Sequence, residues 1–373
     1  MPDRSRPAAP RALFDTVQAH FATHIVPLWQ GPGWNAELAL PYEALDAAHR
    51  PLPVQRYRAM ACARQLYLFS SLIDQPAFPA ARERAAALFQ SLQRHFHDAK
   101  HGGWFYSIDP HGAPLDTSKD LYTHAFVIFA CAHYWARVRD AQIEAVLDEA
   151  LALLHSRFAD GRGLYEASLA RDWSSRGTGP LQNPLMHLAE ALLAVLAARE
   201  DSAVQRTLLA LVDALQARFI EPDHGLMLEK PRGAADNWFE PGHQFEWFFL
   251  LQSSPLLRGT PLHASLEQAF VYAEQVGVRA DGGVLAMLAA DGTPRDSSQR
   301  IWAQAEYIRA LTLRPHGDAR VQQQLQVLHT RFLHAGGWHE SLDGEGRLSR
   351  PDMPSTTPYH LATCYTALAE RFA

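Results

Sequence analysis

Cysteine is scarce: Cys62, Cys131 and Cys364 are the only three in 373 residues. An odd, small number builds no disulfide framework, and no C-x-x-C pair offers a zinc or dithiol site. Each thiol stands in an apolar segment, where cysteine serves as a small buried hydrophobe. Long apolar runs are also missing. The longest, AFVIFACAHYWA (125–136), is too short to cross a bilayer and contains His133. There is no excess of base, with 34 Lys and Arg against 40 Asp and Glu. The basic residues are scattered, so neither nucleic acid nor a membrane is an expected partner. The opening MPDRSRPAAPRALF lacks the apolar stretch of a signal peptide, and a cytoplasmic location is expected. Finally, no P-loop, no strand-associated G-x-G-x-x-G and no H-E-x-x-H occurs, so no cofactor and no metal is expected.

What is present is repetition. Six glycine-centred segments punctuate the chain: GPGWNAELAL (31–40), HGGWFYSIDPHGAPLD (101–116), DGRGLYEASL (160–169), DHGLMLEK (223–230), DGGVLAMLAADGTPRD (281–296) and GGWHESLDGEGRLSR (336–350). From Gly33 through Gly103, Gly163, Gly225 and Gly283 to Gly337 the gaps are 70, 60, 62, 58 and 54. Three segments carry a second turn (PHG, ADG, DGEG) between short alternating runs and read as hairpins. Between the hairpins lie pairs of helical stretches. The first of each pair, as in NPLMHLAEALLAVLAA or GHQFEWFFLLQSS, is apolar or small on nearly every side and must be buried on every side. The second, as in QQQLQVLHTRF, is amphipathic. Hydrophobic residues make up 47% of the chain, and no linker divides it. Six buried helices inside six amphipathic ones predict an all-α fold, a closed (α/α)6 barrel of six helix-pair repeats with short β-hairpins at one mouth. It is expected to form a single domain over residues 1–373.

Polar residues recur where each buried helix begins. They are Arg58 and Arg64; Tyr122 and His124; Asn183, His187 and Glu190; His243 and Glu246; Arg300, Gln304 and Glu306; and Tyr359 and His360. From marker glycine to histidine the offsets are 21, 24, 18 and 23 for His124, His187, His243 and His360. A lone histidine on a buried helix is usually a hydrogen-bonded core residue, and Glu190 and Glu246 could simply fix their neighbours at i−3. Four histidines at one repeat phase instead point to convergence on the barrel axis, because buried polar groups are costly unless paired or used. His187-x-x-Glu190 and His243-x-x-Glu246 have the form of metal-ligand pairs. The surrounding Asn, Gln, Tyr and Trp suit sugar hydroxyls equally, and metal is the weaker reading.

NPLMHLAEA (183–191), EPGHQFEWFFLL (240–251), IWAQAE (301–306), PSTTPYHL (354–361) and ARQLYLFS (63–70) together resemble the N-acylglucosamine 2-epimerase family over nearly the whole chain. EPGH-x-x-EW is the most specific of these strings. The resemblance implies an (α/α)6 barrel, with His243 and His360 as an acid–base pair and Arg64 holding a sugar oxygen and stabilising an enediolate. It implies that Asn183, His187 and Glu246 bind the sugar while Trp302 and Gln304 line the pocket. His124 and Arg58 join the substrate-binding set on their repeat position. The chemistry is coherent: removing a proton beside a carbonyl needs a base titrating near neutrality, and the developing oxyanion needs a cation that cannot deprotonate. The expected activity is metal-independent aldose–ketose isomerisation of a free hexose of the mannose type. The near alternative is 2-epimerisation of N-acyl-D-glucosamine, mannose or cellobiose. Glycoside hydrolysis through carboxylates such as Glu190, Glu246 or Glu306 is a second class. A non-catalytic binding protein is a third, although no leucine heptad supports it. A monomer or homodimer taking a small sugar is expected.

Overall fold

The computed structural model describes residues 8–373; most of the sequence that bears on a signal peptide lies outside them. Six buried helices form the inner ring: α3 (Ala59–Ser71), α5 (Leu121–Val138), α7 (Gln182–Ala198), α9 (Pro241–Ser253), α11 (Ile301–Leu311) and α13 (Thr357–Arg371). Each packs on the next, and α13 packs back on α3, which closes the ring. Around them lie α4 (Ala81–Ser91) on α3, α6 (Ala141–Leu153) on α5, α8 (Ser202–Phe219) on α7, α10 (Pro261–Gly277) on α9 and α12 (Asp318–Val327) on α11. The sixth outer place is filled by α1 (Ala8–His20), which packs on α13 and α12. The repeats are thus six helix pairs as expected, but the last pair joins the two ends of the barrel. A short further helix, α2 (Val26–Gln30), leads from α1 to the first hairpin.

Three outer helices start from capping side chains, whereas α4 and α12 have none. Asp140, Asp201 and Thr260 accept amide hydrogens at the heads of α6, α8 and α10. The inner helices begin differently, since of the six only α5 has a side-chain cap, Asp120. Their entries are held by the neighbouring repeat's hairpin. Tyr57–Arg58 pairs with Ser107–Ile108, and Lys119–Asp120 with Ser168–Leu169. The Gln182 amide donates to the Glu229 carbonyl, and Phe239 bridges to Leu288. Gln299–Arg300 pairs with Ser341–Leu342, and Met353–Pro354 with Ala44–Leu45. Each repeat hands a strand to the next, the sixth to the first, so all six inner helices start at one mouth.

Four outer helices, α1, α4, α6 and α12, end in π-helical turns, Phe21–Ile25, Leu92–Phe96, Leu154–Phe158 and Leu328–Phe332. The carbonyls of Phe96, Phe158 and Phe332, and of Phe219 at the end of α8, accept an amide from the following hairpin. The aromatic ring is buried beneath it in every case. The three cysteines are free and buried, as their apolar surroundings imply. Among the described residues no helix is long and apolar enough to cross a membrane.

Gly225 illustrates how tightly a hairpin meets its outer helix. Its φ is +68°, and a Cβ there would stand 2.4 Å from the Ser265 carbonyl oxygen on α10. Gly161 has a similar φ of +73° with nothing within 4 Å. Gly161→Ala should therefore cost only the left-handed backbone, about 1–2 kcal/mol. Gly225→Ala should cost a further 1–3 kcal/mol or so from overlap with immobile backbone. Urea unfolding of the two variants measures the difference; equal losses would show that the hairpin can lift off α10 freely.

Candidate active site

At the mouth, a pocket of about 200 Å³ is lined by Arg64, Tyr122, Asn183, His187, Glu240, His243, Glu246, Arg300, Trp302 and His360. Every inner helix or the strand feeding it supplies at least one of these. Because all six helices begin here, their positive dipole ends gather around the pocket and favour negative charge within it.

Three histidines reach the pocket, and each has a ring nitrogen fixed by a glutamate. His243 Nδ1 lies 2.6 Å from Glu229, His360 Nδ1 2.7 Å from Glu306, and His187 Nδ1 3.2 Å from Glu190. Fixing Nδ1 leaves Nε2 as the nitrogen available to a ligand. The environments then diverge. Burial opposes charge on His243, but Glu229, Glu240 and Glu246 around it outweigh burial and raise its pKa to about 9. Burial, helped by the neighbouring Arg64 guanidinium, holds His360 well below the ordinary histidine range. Burial likewise lowers His187 to about 4. At neutral pH one pocket face presents an imidazolium and another a free base. The Trp302 indole stands between them, its ring 5.1 Å from His243 and 5.5 Å from His360.

Beneath the histidines lies Arg309, which is buried and bridges Glu306 at 3.1 Å and Glu190 at 3.4 Å. Tyr359 also donates its hydroxyl to Glu190. The guanidinium compensates two carboxylates that would otherwise be destabilised far from water. Glu246 has no such help. Both its oxygens are buried without a hydrogen-bond partner, and burial beside Glu306 and Glu190 raises its pKa well above the carboxylate range. Its surroundings thus favour the protonated acid over the carboxylate. Asn183 Oδ1 is also buried and unpartnered. Arg64 lies over the Phe126 and Tyr359 rings, 4.3 and 4.8 Å from their centroids, and its Nη2 donates to the Tyr122 hydroxyl at 2.6 Å. Orphaned donors and acceptors around an open space are what a polyhydroxylated ligand would satisfy.

Three clusters have metal-ligand spacing: His187, Glu190 and Glu246; Glu229, Glu240 and His243; and Glu246, Glu306 and His360. Arg309 pairs with Glu190 and Glu306, one positive charge against two carboxylates, and the carboxylates around His243 favour its protonated form.

Of the residues expected at the site, Arg64, Asn183, His187, His243, Glu246, Trp302 and His360 meet in the pocket. Three do not. His124 is turned into the second hairpin, where its Nδ1 meets the Asp120 carbonyl and its Nε2 accepts the Trp104 amide. Gln304 faces outward and donates to Gln324 on α12. Arg58 is pinned by Glu43, which takes its Nε at 2.7 Å. Conversely, Tyr122 and Arg300 were visible only as recurring polar positions and Glu240 only as part of the EPGH string, while nothing marked Glu229 or Arg309. Arg309 lies one turn after Glu306, which could have suggested a pair; the hairpin residue Glu229 carried no such sign.

The pH profile of kcat/KM should fall on its alkaline side near pH 9, as His243 loses its proton. Its acid limb should lie below the ordinary histidine range, where His360 gains one. Glu229→Gln removes the nearest anion from His243 and should bring the alkaline limb down by roughly one to three pH units. An unmoved limb would separate His243 from the titration.

The N-acylglucosamine 2-epimerase (GlcNAc 2-epimerase) family model matches residues 41–364. A D-mannose isomerase of Thermobifida fusca is 28% identical over 333 residues, 80% of each chain. A mannose-6-phosphate isomerase of Rhizobium meliloti is 27% identical over 365 residues, 90% of this chain and 91% of that one. The structure of cellobiose 2-epimerase from Spirochaeta thermophila superposes with a TM-score of 0.84 over 100% of both chains at 22% identity, a likeness of fold.

Proposed function

Because the chain belongs to the N-acylglucosamine 2-epimerase family, whose members are sugar isomerases and epimerases, we propose that it is an aldose–ketose isomerase of a free hexose of the mannose type, built as one barrel domain. The observation that carries this reading is a pair of glutamate-fixed histidines on either side of one indole, with surroundings that favour charge on His243 and oppose it on His360. His243, as the imidazolium, protonates the ring oxygen; the C1–O5 bond breaks as O1 becomes the C1 carbonyl and gives its proton back to His243. His360, as the free base, removes the C2 proton; the C2–H electron pair becomes the C1=C2 bond and the C1 carbonyl becomes an enediolate oxygen. Arg64 and the converging helix ends stabilise that charge, and Glu246 and Asn183 hold hydroxyls. The C1=C2 pair then takes the proton back from His360 at C1 on the same face, while the O2 proton passes to the O1 oxyanion and the carbonyl re-forms at C2. One base suffices for this cis-enediol route, whereas 2-epimerisation must deliver a proton to the opposite face of C2.

Hydrolysis of a glycosidic bond would need two carboxylates free to act. Glu190, Glu306 and Glu229 are each committed to a histidine, and the first two also to Arg309, which leaves Glu240 and Glu246 as the uncommitted acids of the pocket. The family match favours proton chemistry over hydrolysis.

Incubation with mannose, N-acetylmannosamine and cellobiose in D2O, followed by NMR, tests the reading. Mannose should yield the ketose with deuterium at C1, and His360→Asn should stop C2 exchange with a loss of roughly 10²–10⁴ in rate. His243→Asn should retain some exchange when more open-chain sugar is supplied. Deuterium appearing in a C2 epimer without ketose would instead make the enzyme an epimerase. Exhaustive EDTA treatment should leave turnover intact; loss restored by one divalent metal would overturn the histidine-only mechanism.

Arg64→Lys keeps the charge but not the planar fork that can grip two oxygens, so turnover should drop far more than stability. Near-normal turnover would move the oxyanion role to another cation, Arg300 being next in the pocket.

A further inference from the structure

Beside the catalytic pocket lies a second cavity of about 500 Å³, lined by Ser298, Arg300, Trp302, Glu340, Ser341, Ser349 and Arg350. Arg300 and Trp302 belong to both, so the two spaces adjoin at the mouth. The second is built on the four-stranded sheet that joins the fifth and sixth hairpins. Arg300 pairs with Ser341 and Ser341 with Arg350, which places the three in one cross-strand row. Residues directly opposite one another share a face, and two strand spacings set the outer pair about 10 Å apart.

The donors in this row are incompletely used. Asp352 takes Nε and Nη2 of Arg350, at 2.8 and 2.7 Å, and leaves Nη1. Among the described residues the Arg300 side chain has no hydrogen-bond partner; its nearest carboxylate, Glu240, stands 3.7 Å away. One acidic group does line the cavity. Burial raises Glu340 to about 7, and one of its oxygens already accepts from Trp338 and Thr357. The anionic repulsion it could exert at neutral pH is correspondingly reduced. Two guanidinium groups flanking three serine hydroxyls suit a tetrahedral oxyanion. A neutral sugar ring would look for an aromatic platform, and here only Trp302, shared with the catalytic pocket, is present.

We propose that this rim cavity is a phosphate subsite, so that a hexose phosphate can place its carbonyl end between His243 and His360 and its phosphate between Arg300 and Arg350. The inference rests on the isomerase reading for the position of the sugar, but not for the binding of the anion, and it shifts the preferred mannose-type substrate from the free hexose to its 6-phosphate. The test compares kcat/KM for mannose 6-phosphate and mannose, with inorganic phosphate binding followed by calorimetry.

Mannose 6-phosphate should be favoured by about tenfold or more, the worth of one charge-assisted contact. Arg350→Ala, which removes one flank, and Ser349→Glu, which adds a repelling carboxylate, should each lower the ratio of the two kcat/KM values about tenfold. The mannose rate of each variant reports whether it has folded. Inorganic phosphate should bind the parent enzyme and bind each variant more weakly. Absence of phosphate binding, or a ratio that neither variant changes, overturns the subsite. Phosphate binding that the variants weaken, with neither sugar turned over, would leave the subsite standing and remove the isomerase reading instead.

Discussion

The site depends on one buried cation. Arg309 holds Glu306 and Glu190 together, Glu306 fixes His360, and Glu190 fixes His187 and receives the Tyr359 hydroxyl. Without that guanidinium the two carboxylates would face each other across a dry interior, and Glu246 would add a third acid. Losing one partner of a buried ionic cluster typically costs about 3–5 kcal/mol, because the remaining charges keep their desolvation penalty. Here the loss would also release two histidines from their fixed orientation. Packing and the geometry of the candidate site therefore share a single electrostatic support, set below the pocket and outside its lining.

The second organising constraint is how the inner helices start. Left without side-chain caps on five of six, their heads are oriented by strands borrowed from the next repeat. Those pairings fix the rotation and height of each helix relative to its neighbour, and hence where Arg64, His187, His243 and His360 point. The hairpins are thus the gauge by which six helices aim at one volume. They also carry the walls around it: the sheet that pairs the fifth repeat with the sixth supplies Arg300 to the pocket.

Architecture was legible because it is written in periodicity: six glycine-marked hairpins and helices apolar all round leave few arrangements other than radial closure. His187, His243 and His360 were legible for a related reason, since a titratable group on such a helix must either be paired or face the axis. The same reasoning selected His124 and Gln304, whose side chains the structure places outside the pocket. His124 and His360 both stand fourth in their helices, yet one ring is captured by its own hairpin and the other reaches the pocket. Repeat phase gives a residue's height along the barrel, while rotation about the helix axis depends on packing that the spacing does not encode. Arg309 was hidden because its partner Glu190 lies 119 positions away. Glu229 was hidden because a hairpin carboxylate looks solvated until the fold closes over it.

Closure of the ring falls on contacts between the chain's most separated parts. Met353–Pro354 pairs with Ala44–Leu45, and α1 packs against α13. During synthesis the first hairpin must wait for more than three quarters of the chain before its strand partner exists, and its neighbour α3 lacks one flank until then. Contacts of such long sequence separation carry a large loop-closure entropy and slow folding. An incomplete barrel exposes the apolar sides of its terminal inner helices, the surface on which nascent chains associate. The catalytic pocket cannot exist in any partial product, since His360 arrives on the last helix to dock.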